Sequence, residues 1–207
     1  MRDRFETLVT IPWQDAGVLV AQLSDKDVRA MTSPRMVLAG LLAAGLMAAL
    51  SAPAMAQEIK QLGTFKAWTA WSGSDANGLM CYISASPADW SPKEVGGSPV
   101  RRSPIHFLII NRKGLGTKNE VQTQVGYPFN AQANVSATID GKTFPMVTEG
   151  EAAWLAVEAD EATFVEAMKA GSKLVVTGIS AKGNKMTDNY DLSGVTAALG
   201  EIAKACA

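Results

Sequence analysis

Histidine occurs once in this chain, at His106, and cysteine twice, at Cys81 and Cys206. With one imidazole, any histidine-dependent acid–base scheme must run through that residue. One His and two distant Cys also leave no cluster at a spacing that holds a transition metal, so neither a metal nor another cofactor is expected. Charge of one sign is missing as well: 19 Lys+Arg stand against 20 Asp+Glu, a net charge of −1. Nucleic acid demands a basic footprint that displaces counterions, and an anionic membrane surface demands a polybasic cluster, so neither partner is expected. After Ala56 there are no long hydrophobic runs. The longest, such as Ile105–Ile110, are strand-sized, whereas a membrane-spanning helix needs about 20 apolar residues.

One long apolar run does exist, and it lies before that point. Met36–Ala56, MVLAGLLAAGLMAALSAPAMA, carries no charge and ends on the small-residue pattern Ala54-Met55-Ala56. A short basic region, an apolar stretch and an A-x-A ending make a secretory signal peptide. The expected organisation is therefore a 1–30 extension outside the mature fold, a signal peptide over 31–56, and a single domain over 57–207 that begins at Gln57 after cleavage at Ala56. A second start at Met31 opens a conventional leader, which makes the first 30 residues read as a misplaced start. Gln57 is not a cysteine, so lipid attachment at that junction is not expected. Leaving out 1–56, with its five basic and five acidic residues, leaves 14 Lys+Arg and 15 Asp+Glu, the same near-neutral balance.

The product reads as short strands broken by turns. Leu62–Trp71 and Leu79–Ser84 are rich in aromatic and β-branched residues, with turn chemistry in Gly73–Gly78 between them. Ser86–Pro104 is a Pro/Gly/Ser-rich loop whose prolines forbid a central strand. Strands follow at 105–111, 120–127 and 134–140. Asp140-Gly141 is a two-residue hairpin signal, and 173–180 with 185–192 forms a second hairpin around Ala181–Asn184. Two segments read as helix. Asp160 is placed to cap 161–170, which Gly171 ends. Ser193 is placed to cap the last segment, where Val195, Ala198, Leu199, Ile202 and Cys206 share one face. This pattern predicts a mainly β fold: an antiparallel β-sandwich or partly open barrel with two short helices, the second at the C-terminus.

In an exported protein an even pair of cysteines is normally a disulfide, so Cys81 and Cys206 are expected to be joined. The bond would clamp the terminal helix onto an early strand; the pair lacks the C-x-x-C spacing of a redox catalyst. His106 alternates with apolar neighbours in a strand, as a partly buried structural histidine does, and no G-x-S-x-G elbow accompanies it. Arg101-Arg102 has the forked geometry to hold an anion, against the plainer reading of a solvated strand entrance. Trp68, Trp71, Trp90 and Trp154 offer a glycan shelf, but Trp68 and Trp71 must face opposite ways on one strand, and Trp154 in AAWL reads as core. Glu149, Glu151, Asp188 and Asp191 have no glycosidase spacing, and D-N-Y-D at 188–191 lacks the glycine and terminal glutamate of a calcium loop.

Several stretches together carry a family resemblance: M-C-Y-I-S-A-S-P (80–87), R-R-S-P (101–104), N-E-V-Q-T-Q-V-G-Y-P-F (119–129), T-E-G-E-A-A-W-L (148–155), A-M-K-A-G (167–171), S-A-K-G (180–183), D-N-Y-D-L-S-G-V-T-A-A-L (188–199) and the closing A-C (205–206). In this order, from Trp68 to Cys206, the chain resembles the invasion-associated locus B proteins of alphaproteobacteria. The resemblance implies an exported protein, periplasmic, outer-membrane-associated or secreted, with no enzymatic activity and hence no catalytic residues to carry over. Its expected role is binding, to an envelope or host partner of unknown identity. The alternatives are a periplasmic small-molecule or glycan-binding module using Tyr82, Tyr127 and Trp90, and a hydrolase built on His106.

Overall fold

The computed structural model describes residues 58–207. The 1–30 extension, the 31–56 leader and the Ala56/Gln57 junction lie outside the described residues. The stretch Leu62–Trp71, expected to be one strand, is a hairpin. β1 (Lys60–Phe65) turns into β2 (Trp68–Asp75) through Lys66 and Ala67, with Lys66 at φ 54°. No Gly, Asn, Asp or Pro marks this turn, and lysine rarely takes positive φ, so the sequence gives no local sign of it.

β3 (Gly78–Ala85) follows. The Pro-rich segment holds only β4 (Asp89–Ser91) and a small ribbon of β5 (Glu94–Val95) with β6 (Ser98–Pro99). Next come β7 (His106–Arg112), β8 (Thr117–Gln124), β9 (Val135–Ile139), β10 (Lys142–Glu149) and β11 (Ala152–Leu155). Asp140 and Gly141, between β9 and β10, sit at φ 43° and 95°, the pair of positive angles that a type I′ turn requires. α1 (Glu161–Ala170), β12 (Lys173–Ile179), β13 (Lys185–Asp191) and α2 (Val195–Ala205) complete the chain.

Eleven strands form one sheet in the order β1-β2-β3-β7-β8-β11-β10-β9-β12-β13-β4, every neighbour antiparallel. β4 is an edge strand, the only kind of strand its Pro-rich surroundings tolerate. The sheet curls back on itself without closing into a barrel. Near one end of the order, Trp68 on β2 donates its indole N–H to the carbonyl of Asp191, on β13 near the other end, at 2.9 Å. The core fills the inside of the curl, with Phe107, Phe144, Phe164 and Tyr190 at its centre. Phe107 and Phe164 stack at 5.8 Å, and Phe144 meets Phe164 edge-on at 4.9 Å.

Both helices pack on this inner face. α1 spans the expected residues, but Asp160 makes no side-chain cap bond; it closes a short 3-10 turn over Glu158–Asp160 instead. The N-cap of α2 is Gly194, not Ser193, whose N–H is already taken by the Asp191 carboxylate at 2.8 Å. Gly194 has φ 91° and lies against the carbonyl of Phe65, where any Cβ would collide. Val195, Ala198, Leu199 and Ile202 are buried against β1, β2 and β3, the helical face that their spacing predicts.

Candidate functional site

β3 is the hinge of the site. All six residues from Met80 to Ala85 are buried, so the strand is covered on both faces. Cys81, Ile83 and Ala85 point inward to the main core; Met80, Tyr82 and Ser84 point outward. Cys81 is bonded to Cys206 at the end of α2, with 6.0 Å between Cα atoms and 125 positions between them in the chain. The expected disulfide is present and does what was inferred: it ties the terminal helix to an early strand.

The cluster with the strongest electrostatics is one that the sequence does not assemble. Arg102 leaves the Pro-rich segment and inserts between Trp90 and Tyr127, its guanidinium carbon 5.1 and 4.9 Å from their ring centres. Its fork holds both carboxylate oxygens of Asp188 on β13, at 2.5 and 2.7 Å, and donates from Nε and Nη2 to the carbonyl of Val125 at 2.9 and 2.6 Å. Both side chains are 2% exposed. Burial pushes the Asp188 carboxyl up, and the two Arg102 bonds oppose that shift. The fork read from sequence as an anion holder does hold a carboxylate, but an internal one, 86 positions away. Arg101 beside it is exposed. Arg102 therefore pins the segment before β7 to both the end of β8 and β13. Tyr127 and Tyr190, lining the same corner, have hydroxyl pKa values raised above the ordinary range by burial, with the Asp188 charge adding to it.

A second buried cation lies at the far end of β7. Arg112 donates to Glu120 at 2.5 Å, and its Nε lies 3.7 Å from Asp75. Asp75 Oδ2 and Arg112 Nε form no hydrogen bond. Nothing in the sequence ties these three residues together, because strand register places them.

His106 is half-buried at the start of β7, and burial lowers its pKa from the ordinary 6.5. Its register neighbour is Gln124, and its backbone carbonyl accepts from the Thr123 hydroxyl at 3.1 Å. Trp68 is fully buried and Trp71 half-buried, facing opposite ways as their spacing required. Trp154 is half-buried on the outer side of β11, not core. It pairs across the sheet with Val147, which puts it on the face opposite Leu155 and the helices. The rings suggested for a glycan shelf do not form one open shelf: Trp90 and Tyr127 flank the Arg102 guanidinium, and Trp71 stacks on Tyr82 elsewhere. Tyr82 is buried on the outer side of β3 with its hydroxyl pKa pushed to about 12, Tyr127 is buried inside, and Trp90 sits at the β4 edge. Of the carboxylates, Asp188 is spent in the ion pair, Asp191 caps the turn before α2 and Glu149 is exposed. Among the described residues no group of three or more His, Cys, Asp and Glu is placed to hold a metal, and no helix is long and apolar enough to cross a membrane.

The outer face of the central strands is the remaining feature. Register aligns Trp71, Tyr82 and Ile110 in one row, and Ser84, Leu108, Gln122, Trp154 and Val147 in the next. Trp71 stacks on Tyr82 at 6.2 Å and bonds Ser84 through its indole N–H. Tyr82, Leu108 and Ile110 are buried although both helices lie on the other side, while Val147 at the rim is 46% exposed.

The model of the family described as "Invasion associated locus B (IalB) protein" matches residues 92–203, more than half of the chain. The chain belongs to the invasion associated locus B family. The match takes in Arg102, Asp188 and all of the sheet from β7 to β13, so the buried ion pair lies within the family domain. Among solved structures the chain is similar to invasion associated protein B from Bartonella henselae, at 15% identity over 72% of this chain and 97% of that one, with a TM-score of 0.47. A search of curated proteins finds no match.

Proposed function

We propose that this invasion associated locus B protein is an exported, non-enzymatic envelope protein that acts by binding a protein partner. On this reading a signal peptidase cleaves between Ala56 and Gln57, and the product works in the periplasm, at the outer membrane or outside the cell. The Met36–Ala56 leader supports export, and the Cys81–Cys206 bond suits an oxidising compartment. The observation that carries the binding role is the two-sided apolar character of β3 and β7. An antiparallel sheet normally keeps one face for the core and one for water. Here Tyr82, Leu108 and Ile110 form a second, buried apolar layer on the side away from the helices, and at its rim Trp71 and Trp154 are half-buried and Val147 is exposed. Apolar side chains that reach solvent together at one rim fit a contact with a partner.

The test is a pull-down from envelope extract with the wild-type protein and with Val147→Glu and Trp154→Ser. A partner retained by the wild type and lost by both variants supports the reading. Retention by both variants, or turnover of a substrate with no partner found, overturns it.

A further inference from the structure

The Cys81–Cys206 bond ties the last helix, α2, to β3. α2 is eleven residues long, carries Gly200 in its middle and has no side-chain bond at its N-cap. Helices of this length are marginal on their own, and a mid-helix glycine weakens them further. Outside the disulfide, its polar ties to the body are the Ala67 N–H to the Ser193 carbonyl at 3.4 Å and Lys113 Nζ to the Ala207 carbonyl, and the rest is apolar packing of Val195, Ala198, Leu199 and Ile202 on β1–β3 and α1. Part of the core is held by contacts that do not involve it. Phe107, Phe144, Phe164 and Tyr190 hold one another, and Trp68 reaches Asp191 directly. The two cysteines also differ in exposure: Cys81 is fully buried, whereas Cys206 is half-buried.

We propose that the bond is a redox latch on α2: a dithiol reductant opens it, the helix leaves, and the inner face of β1–β3 is uncovered while the remaining sheet stays folded. A thiolate of the reductant attacks Cys206 Sγ, and the Cys81 sulfur departs with the bonding pair and takes up a proton. The second reductant thiol then displaces Cys206 as a thiol, leaving the reductant as a disulfide. Two electrons pass to the protein, which ends with two thiols. Neither cysteine is a catalyst. The latch converts reducing power into exposure of apolar surface that includes Trp68, Ala70 and Ile83.

The test is hydrogen exchange of the full chain, oxidised, reduced with dithiothreitol, and as Cys206→Ser, read by mass spectrometry beside the alkylation rate of Cys81. The latch predicts at least tenfold faster exchange over 195–205 in both open forms, reaching the unprotected rate, with peptides of β8, β11 and β12 still slowed at least a hundredfold relative to the unfolded chain. In the same samples Cys81 becomes alkylatable, and reoxidation restores protection to the reduced wild type. Acceleration below tenfold in α2 means that packing alone holds the helix, and loss of protection in β8–β12 together with α2 means that the bond supports the whole fold. Either result overturns the proposal.

Discussion

Removing the Arg102 guanidinium tests how the Pro-rich segment is held. In Arg102→Ala the Asp188 carboxylate, 2% exposed in the wild type, loses the two bonds of its partner, and the Val125 carbonyl loses its two donors. A buried charge left without its partner costs about 3–5 kcal/mol. For a domain of this size a loss of 1 kcal/mol lowers the melting temperature by about 2–4 °C, so the drop is roughly 6–20 °C. Arg102→Lys keeps the charge but not the fork, and recovers part of the loss at most. The double variant Arg102→Met/Asp188→Leu removes both charges together and is expected to fall within about 1–2 kcal/mol of the wild type, because no uncompensated charge remains. Urea titration followed by tryptophan fluorescence measures all four proteins, and Trp90 against the guanidinium reports the site itself. A cost below about 1 kcal/mol for Arg102→Ala, or a double variant no better than the single ones, would refute the account of Arg102 as the internal pin.

Four further outcomes are expected. Replacing both Cys81 and Cys206 by Ala opens a loop spanning 125 positions and costs about 5 kcal/mol in the chain-entropy treatment, read as a lower urea midpoint than that of the oxidised wild type. Phe164→Ala removes a fully buried ring stacked on Phe107 and edge-on to Phe144, and costs about 3–5 kcal/mol in the same titration. Gly194→Ala places a Cβ against the Phe65 carbonyl at φ 91°, and is expected to destabilise by more than about 1 kcal/mol; an unchanged midpoint would count against the close approach there. Because burial lowers the His106 pKa, the folded state disfavours its protonated form. Its contribution is full above the ordinary value of 6.5 and is lost as pH falls toward the lowered folded value. His106→Gln should flatten the pH dependence of stability in that window, and an identical slope would exclude the assignment.

The parts of the fold legible in the sequence are those that local chemistry dictates. Asp140-Gly141 announces a type I′ turn because both positions need positive φ, and the structure has them there. The α1 boundaries follow from its apolar period and from Gly171. The opposite facing of Trp68 and Trp71 follows from the two-residue period of a strand. The turn at Lys66, by contrast, carries no turn residue and is imposed by β1 folding back on β2. The cap of α2 falls on Gly194 rather than Ser193, in a left-handed conformation against the Phe65 carbonyl that admits no side chain. Trp154 reads as core in AAWL, yet alternation turns it outward once Leu155 is fixed inward.

By itself the sequence determined the mainly β antiparallel class, the two helices and the pairing of the only two cysteines, since each rests on periodicity, turn chemistry or a count that allows one partner. Only the tertiary structure decided which charges meet. Arg102 finds Asp188, and Arg112 finds Glu120 and Asp75, through strand register and the curl of the sheet. Those depend on the whole set of strand pairings, which no single stretch of chain encodes. The apolar outer layer belongs to the same class, because Tyr82 on β3 and Ile110 on β7 face each other, with Leu108 in the next row, only when the two strands are paired.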